Sequence, residues 1–242
     1  VISSNLGVVA PTPTYAATAV DQEDCIWMLG GECTMTPSIV WKSCNTGRTW
    51  DPLPPPVVVP LGVEVPPPFP QRWQGHAMTV VGGWQVVIVD AADPEEGAIW
   101  RFMSGKGDFV QRVLGAPLPF GTRFNPKLLA SSDGALWLLG GQRGDEALGD
   151  VWASYDSGAT WVCKTVNYLV APVNERAPGI PLNGSAVMGW DDTIFLLGGT
   201  NANATEAFGD VYSSMPGVRG RRLEPPARFS TTPLQTVGGE PL

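Results

Sequence analysis

Three stretches of this chain superimpose without a gap: Cys25-Ile-Trp-Met-Leu-Gly-Gly31, Ala135-Leu-Trp-Leu-Leu-Gly-Gly141 and Thr193-Ile-Phe-Leu-Leu-Gly-Gly199. A fourth apolar run, Gln85 to Val89, continues into Asp90-Ala91 where the others carry the glycine pair. Each run is followed by a second apolar pair, Val40-Trp41, Ile99-Trp100, Val151-Trp152 and Val211-Tyr212, whose aromatics recur at steps of 59, 52 and 60 residues. A period of that length marks an array of like units, each of which needs its neighbour to bury an apolar face.

The unit resolves into four short strands. The first is an apolar or small-residue run: Tyr15–Val20, His76–Val81, Lys127–Ala130 and Ser185–Met188. Tight turns follow, written Asp21-Gln22-Glu23-Asp24, Gly82-Gly83, Ser132-Asp133-Gly134 and Trp190-Asp191-Asp192. Gly and Asp tolerate the positive φ of such turns. The second strand is the apolar run itself, unbroken by polar residues and so buried on both faces. A variable loop leads to the third strand, and a turn leads to a fourth at Thr49–Leu53, Phe109–Val113 and Thr160–Val166. No segment has helical period and length. The expectation is an all-β chain of antiparallel four-stranded units, with repeats at about 14–70, 71–122, 123–178 and 179–227, and a partial fifth at 228–242.

Four-stranded units at this spacing point to a β-propeller. The Gly-Gly doublet, the loop and then Gly149-Asp150-Val151-Trp152 or Gly209-Asp210-Val211-Tyr212 resemble kelch repeats, of the type found in the central domain of galactose oxidase. Ser154-Tyr-Asp156-Ser-Gly158-Ala-Thr160-Trp161 resembles the Asp-box turn of sialidase-type propellers, and Ser43-Cys-Asn45-Thr-Gly47-Arg-Thr49-Trp50 is the same motif with Asn for Asp. In that family the motif is a fold element away from the active site. The galactose oxidase resemblance would imply copper held by two His and two Tyr, but His76 is the only histidine, so no such site can form from this chain.

Charge and composition remove further classes. The formal net charge is -8 with a sequence pI near 4.6, which argues against nucleic-acid and anionic-membrane partners. No apolar run approaches the ~18 residues of a membrane helix. Val1 in place of Met, with no signal segment after it, reads as a mature or excised segment. The four Cys lack paired C-x-x-C knuckles, so zinc is not expected, and no cofactor or metal is assigned.

The candidate binding residues are Arg72, Arg123, Arg176 and Arg228, which recur ahead of the first strands. Such a ring could bind an anion through bidentate bonds. The favoured reading is structural, each arginine pairing with an acid such as Asp150 or Asp210 in the next unit. If Leu29 pairs with Val40, the same register sets Cys25 opposite Cys44 within disulfide reach, leaving Cys33 and Cys163 free or joined to each other. Asn183-Gly-Ser185 and Asn203-Ala-Thr205 fit the N-glycosylation pattern. Pro52–Pro70 reads as an extended connection between units. The functional expectation is a non-catalytic extracellular module that binds a protein or glycan partner, or other subunits of an extracellular assembly. Its contacts would come from the loops Glu32–Ser38, Gln142–Gly149 and Thr200–Gly209. The alternative is a lectin or a degenerate sialidase-like hydrolase.

Overall fold

The computed structural model describes residues 16–30, 40–52, 57–58, 75–92, 95, 97–103, 109–165, 184–200, 211–214 and 229–230. These residues are all-β, with no helix among them. Among the described residues no helix is long and apolar enough to cross a membrane.

Four sheets follow one another along the chain. The first is β1 (Ala17–Val20), β2 (Ile26–Leu29), β3 (Val40–Ser43) and β4 (Asp51–Pro52), each antiparallel to the next. The two-residue β5 (Val57–Val58) precedes the second sheet, β6 (Ala77–Val81), β7 (Gln85–Asp90), β8 (Ala98–Met103) and β9 (Phe109–Gly115), and pairs parallel to β9 at its edge. The third contains β10 (Lys127–Ala130) and β11 (Leu136–Leu139). A small separate hairpin of β12 (Gln142–Arg143) and β13 (Glu146–Ala147) follows, and β14 (Val151–Ser154) and β15 (Val162–Thr165) complete the third sheet. The fourth is β16 (Ser185–Met188), β17 (Ile194–Leu197), β18 (Val211–Ser214) and β19 (Phe229–Ser230).

Four of these elements depart from the sequence expectation, two of them the β12–β13 hairpin that forms inside the expected Gln142–Gly149 loop. Val57–Val58 turns part of the proline-rich connection into an edge strand. Phe229–Ser230 closes the fourth sheet, although the sequence assigns those residues to a fifth repeat. Strands of two residues carry no readable period, so all four lay below what alternation can reveal.

The unbroken apolar second strands are explained by packing on both sides. Successive residues of a strand point to opposite faces. Trp27, Leu29 and Val40 pack with Met78, Val86, Ile88 and Trp100 between the first two sheets. On the other face of the second sheet, Val87, Val89 and Ile99 meet Leu128, Leu136, Leu138 and Trp161. Trp137, Leu139 and Val151 then meet Ile194 and Leu196. Each fully buried side chain of this size contributes roughly 1.5–3 kcal/mol. The first strands adjoin in chain order, β1 on β6, β6 on β10 and β10 on β16.

Polar links join the sheets at both strand ends. His76 Nε2 donates to the Leu29 carbonyl at 3.0 Å, Asn125 N–H to Gly75 O at 2.8 Å, and Arg123 N–H to Ala91 O at 2.7 Å. At the opposite end Gln22 N–H donates to Gly83 O at 3.0 Å and Ser132 N–H to Asp192 Oδ1 at 2.6 Å.

Gly158 shows how closely neighbouring sheets approach. Its φ is +95°, and a Cβ there would stand 2.9 Å from Ile99 Cγ2 of the second sheet. Gly158→Ala therefore combines backbone strain with overpacking, and is expected to cost about 2 kcal/mol in a urea titration.

Candidate functional site

Of the three loops expected to make contacts, Gln142–Gly149 is the one the structure describes in full; Glu32–Ser38 is outside the described residues, as is Thr200–Gly209 beyond Thr200. The glycine pair after β11 sends the chain outward, with φ of 55° at Gly140 and 103° at Gly141. A Cβ on Gly141 would approach Phe124 O and Pro126 N at 3.0 and 3.2 Å, so the second glycine is required by close backbone passage. Gln142 and Phe124 exchange two backbone hydrogen bonds, 2.7 and 2.8 Å, and Leu148 N–H donates to Gly141 O at 2.9 Å. The β12–β13 hairpin stands on this base. Residues Arg143, Gly144, Asp145 and Glu146 at its tip are all exposed.

Arg123 lies under the loop, almost wholly buried. Its Nη1 donates to Asp150 Oδ1 at 2.7 Å and to Gly140 O at 2.9 Å, and its Nη2 donates to Asp150 Oδ2 at 2.9 Å and to Phe120 O. The guanidinium also lies 5.2 Å from the Phe120 ring centroid. Burial works against the Asp150 carboxylate, but hydrogen bonds from Arg123 and Trp152, with the guanidinium charge, outweigh it and hold the carboxyl below its ordinary range. Both Nη groups are thus taken up by the fold. The acid partner belongs to the same repeat as the arginine, whereas the sequence reading looked for it in the next one. The inter-sheet link runs instead through the Arg123 N–H to Ala91 O. Arg72, Arg176 and Arg228 lie outside the described residues. Arg228 directly precedes β19, a fourth strand, so its place in the repeat differs from that of Arg123.

The two Asp-box-like turns share one hydrogen-bond pattern. Asp156 Oδ1 accepts from Thr160 N–H at 2.8 Å and from Ser154 Oγ at 2.8 Å, while Ser154 Oγ accepts from Gly158 N–H at 2.9 Å. Asn45 Oδ1 accepts from Thr49 N–H at 2.9 Å and from Ser43 Oγ at 3.0 Å, and Ser43 Oγ accepts from Gly47 N–H at 3.0 Å. Burial opposes ionisation of Asp156, and bonds from Thr160 and Ser154 hold its carboxyl below the usual range regardless. Trp161 closes its turn by donating to Gly158 O at 3.0 Å and stacks edge-on to Phe120, with centroids 5.3 Å apart. These polar groups satisfy turn backbone, which is their chemistry here.

Cys25 and Cys44 Sγ lie 2.07 Å apart, at bonding distance, across the Ile26↔Ser43 end of the β2–β3 ladder. Leu29 pairs with Val40 as the register argument requires. Asp21, Glu23 and Cys25 present three potential metal-ligand atoms close together, but Cys25 is committed to Cys44. Asp21 is committed too: it accepts from Cys25 N–H at 3.0 Å and from Trp27 Nε1 at 2.9 Å. Cys163 is exposed and free, while Cys33, Asn183 and Asn203 lie outside the described residues. Burial and the nearby Asp150 charge push the Cys163 thiol up, which makes it a poor nucleophile. Alkylation without reductant is expected to label Cys163 and to spare Cys25 and Cys44 until dithiothreitol is added; peptide mass mapping reads the difference.

Sequence reasoning passed over the caps of the strand-one turns. Asp21 and Ser131 occupy the same place and each accepts from a tryptophan indole, Trp27 at 2.9 Å and Trp137 at 3.2 Å. The signal was present as a polar residue six positions before Trp in both repeats. It also passed over the charged hairpin tip, whose exposure depends on the base described above. No protein-family model and no curated protein matches this sequence.

Proposed function

We propose that the chain is a kelch-like β-propeller, or a run of its blades with Asp-box turns, serving outside the cell as a non-catalytic module that binds a protein or glycan partner through its inter-strand loops. The observation that carries this reading is the order of the first strands, β1, β6, β10 and β16, side by side in chain sequence. Stacked meanders joined along their first strands are the elements of a propeller. Val187 and Leu197 on the outer face of the fourth sheet are 46% and 36% exposed, and that face is where a further sheet would stack. The Cys25–Cys44 pair supports an oxidising compartment.

The binding-module reading is favoured over the hydrolase because the buried polar groups described serve the fold: Arg123 and Asp150 hold each other, Asp21 caps a turn, and His76 joins two sheets. A sialidase-like anion site would also have to do without Arg123. The test is a fluorogenic sialoside assay run beside a glycan array, with Arg72→Ala and Arg176→Ala variants. No turnover is expected, and any array binding should survive both substitutions. Turnover above a buffer blank that falls with either substitution would replace this reading with the hydrolase.

A further inference from the structure

The hairpin tip displays Arg143-Gly144-Asp145, a guanidinium and a carboxylate one glycine apart. We propose that this tip is a recognition site for a cell-surface receptor that reads both groups at once. In that contact the Asp145 carboxylate completes the coordination of a divalent cation held by the receptor, and the Arg143 guanidinium enters an acidic pocket. The inference deepens the extracellular-module reading and rests on it.

Four observations carry the assignment. First, the ladder Gln142↔Ala147 and Arg143↔Glu146 leaves Gly144 and Asp145 as a two-residue turn. Gly144 has φ +56°, the sign that a type II′ turn needs at its first position. A Cβ on Gly144 would meet nothing within 4 Å, so glycine is there for conformation and not for lack of room. Second, the hairpin is held from below. The paired bonds between Phe124 and Gln142 anchor its base, and Gln142 Nε2 donates to Gly144 O at 2.7 Å within the turn. A tip already fixed in shape loses little entropy on binding.

Third, the two charges are presented differently. Arg143 Nε donates to Thr122 O at 3.2 Å and its Nη2 lies against Gly121, which holds the guanidinium in place at the surface while the residue as a whole stays exposed. Asp145 makes no hydrogen bond or ion pair among the described residues, and its oxygens are hard donors suited to Mg²⁺ or Ca²⁺. Fourth, the triplet stands in the loop class that propellers use for contacts. The other basic-Gly-acidic triplet, Lys106-Gly107-Asp108, lies outside the described residues and serves as an internal control.

The probe is the purified ectodomain of a receptor that binds short Arg-Gly-Asp peptides in a cation-dependent manner, immobilised for surface plasmon resonance with the full 242-residue chain as analyte. Binding in Mg²⁺ or Mn²⁺ is expected, with loss on chelation. Asp145→Glu, which moves the carboxylate by one methylene, should weaken it by at least about tenfold, equivalent to about 1.4 kcal/mol. Asp108→Glu should leave it unchanged. Both sites are to be checked by thermal melts, and Arg143→Lys provides a second tip variant that keeps the charge while losing the fork. No binding by the wild-type chain, binding indifferent to chelation, or binding lost with Asp108→Glu in place of Asp145→Glu would overturn the assignment. A chain that ignores this receptor but binds another protein or a glycan defeats the tip assignment and leaves the module reading standing, whereas sialoside turnover defeats the module reading itself.

Discussion

Replacing Arg123 with Met is expected to lower the unfolding free energy by about 3–5 kcal/mol, the cost of breaking a buried ion pair by removing one partner. The substitution strands the Asp150 carboxylate and takes the donors from two carbonyls, Gly140 O and Phe120 O. Burial raises the cost of an unpaired charge, because the guanidinium side chain is wholly enclosed and its partner only 20% exposed. Asp150→Asn should cost less, since the amide keeps an acceptor for Arg123. The double variant Arg123→Met with Asp150→Leu should recover part of the single loss, because no charge is then left unpaired. Urea unfolding monitored by tryptophan fluorescence reads all three. A loss below about 1 kcal/mol for Arg123→Met would mean that the pair contributes no more than an exposed one, and would return Arg123 to the list of ligand-binding candidates.

The same residue shows how far the sequence can be read. Its recurrence ahead of a first strand was visible, and so was Asp150 as an acid able to hold it. What pattern could not supply was which repeat each partner belongs to, because that depends on how the Gly140-Gly141 turn and the Phe124–Gln142 bridge fold the entry segment back over its own sheet. By contrast, the strand registers were readable, since Leu29 opposite Val40 fixes every pair along β2 and β3, including the position of the two cysteines beyond them. The first strands fall where expected, within two residues at one end, because their turns are written in Gly and Asp. The short pieces were unreadable for the opposite reason: β5, β12, β13 and β19 are two residues each, held by neighbours and not by any pattern of their own. The candidate site sits on such a piece. The three letters of its tip were legible, but the pinning that exposes them comes from the backbone of Phe124 and Leu148, neither of which belongs to a motif.

His76 gives the second large effect, and its sign is fixed by where it is buried. It directly precedes β6 of the second sheet and donates from Nε2 to Leu29 O of the first, so its buried ring bridges the two packed sheets. Burial drives the imidazole down from its ordinary 6.5 to about 4, with the bond to Leu29 O only partly opposing the shift. The unfolded chain therefore takes up a proton as the pH falls below about 6.5, while the native state stays neutral until about 4. Stability from this group is full above pH 6.5, declines by about 1.4 kcal/mol per unit as the pH falls, and levels off below pH 4 after a loss of about 3 kcal/mol. The depressed carboxyls of Asp21, Asp150 and Asp156 act lower: their stabilisation is present above the ordinary carboxylate value of 3.8 and is lost below it. Of these shifted groups, His76 is the one that acts between pH 6.5 and 4. His76→Gln retains a donor for Leu29 O but cannot titrate, so its unfolding midpoint in urea should stay nearly level across that interval while the wild-type midpoint falls. Parallel pH profiles for the two proteins would show that the ring is not enclosed between the sheets, and with it would go the packing of the first sheet on the second.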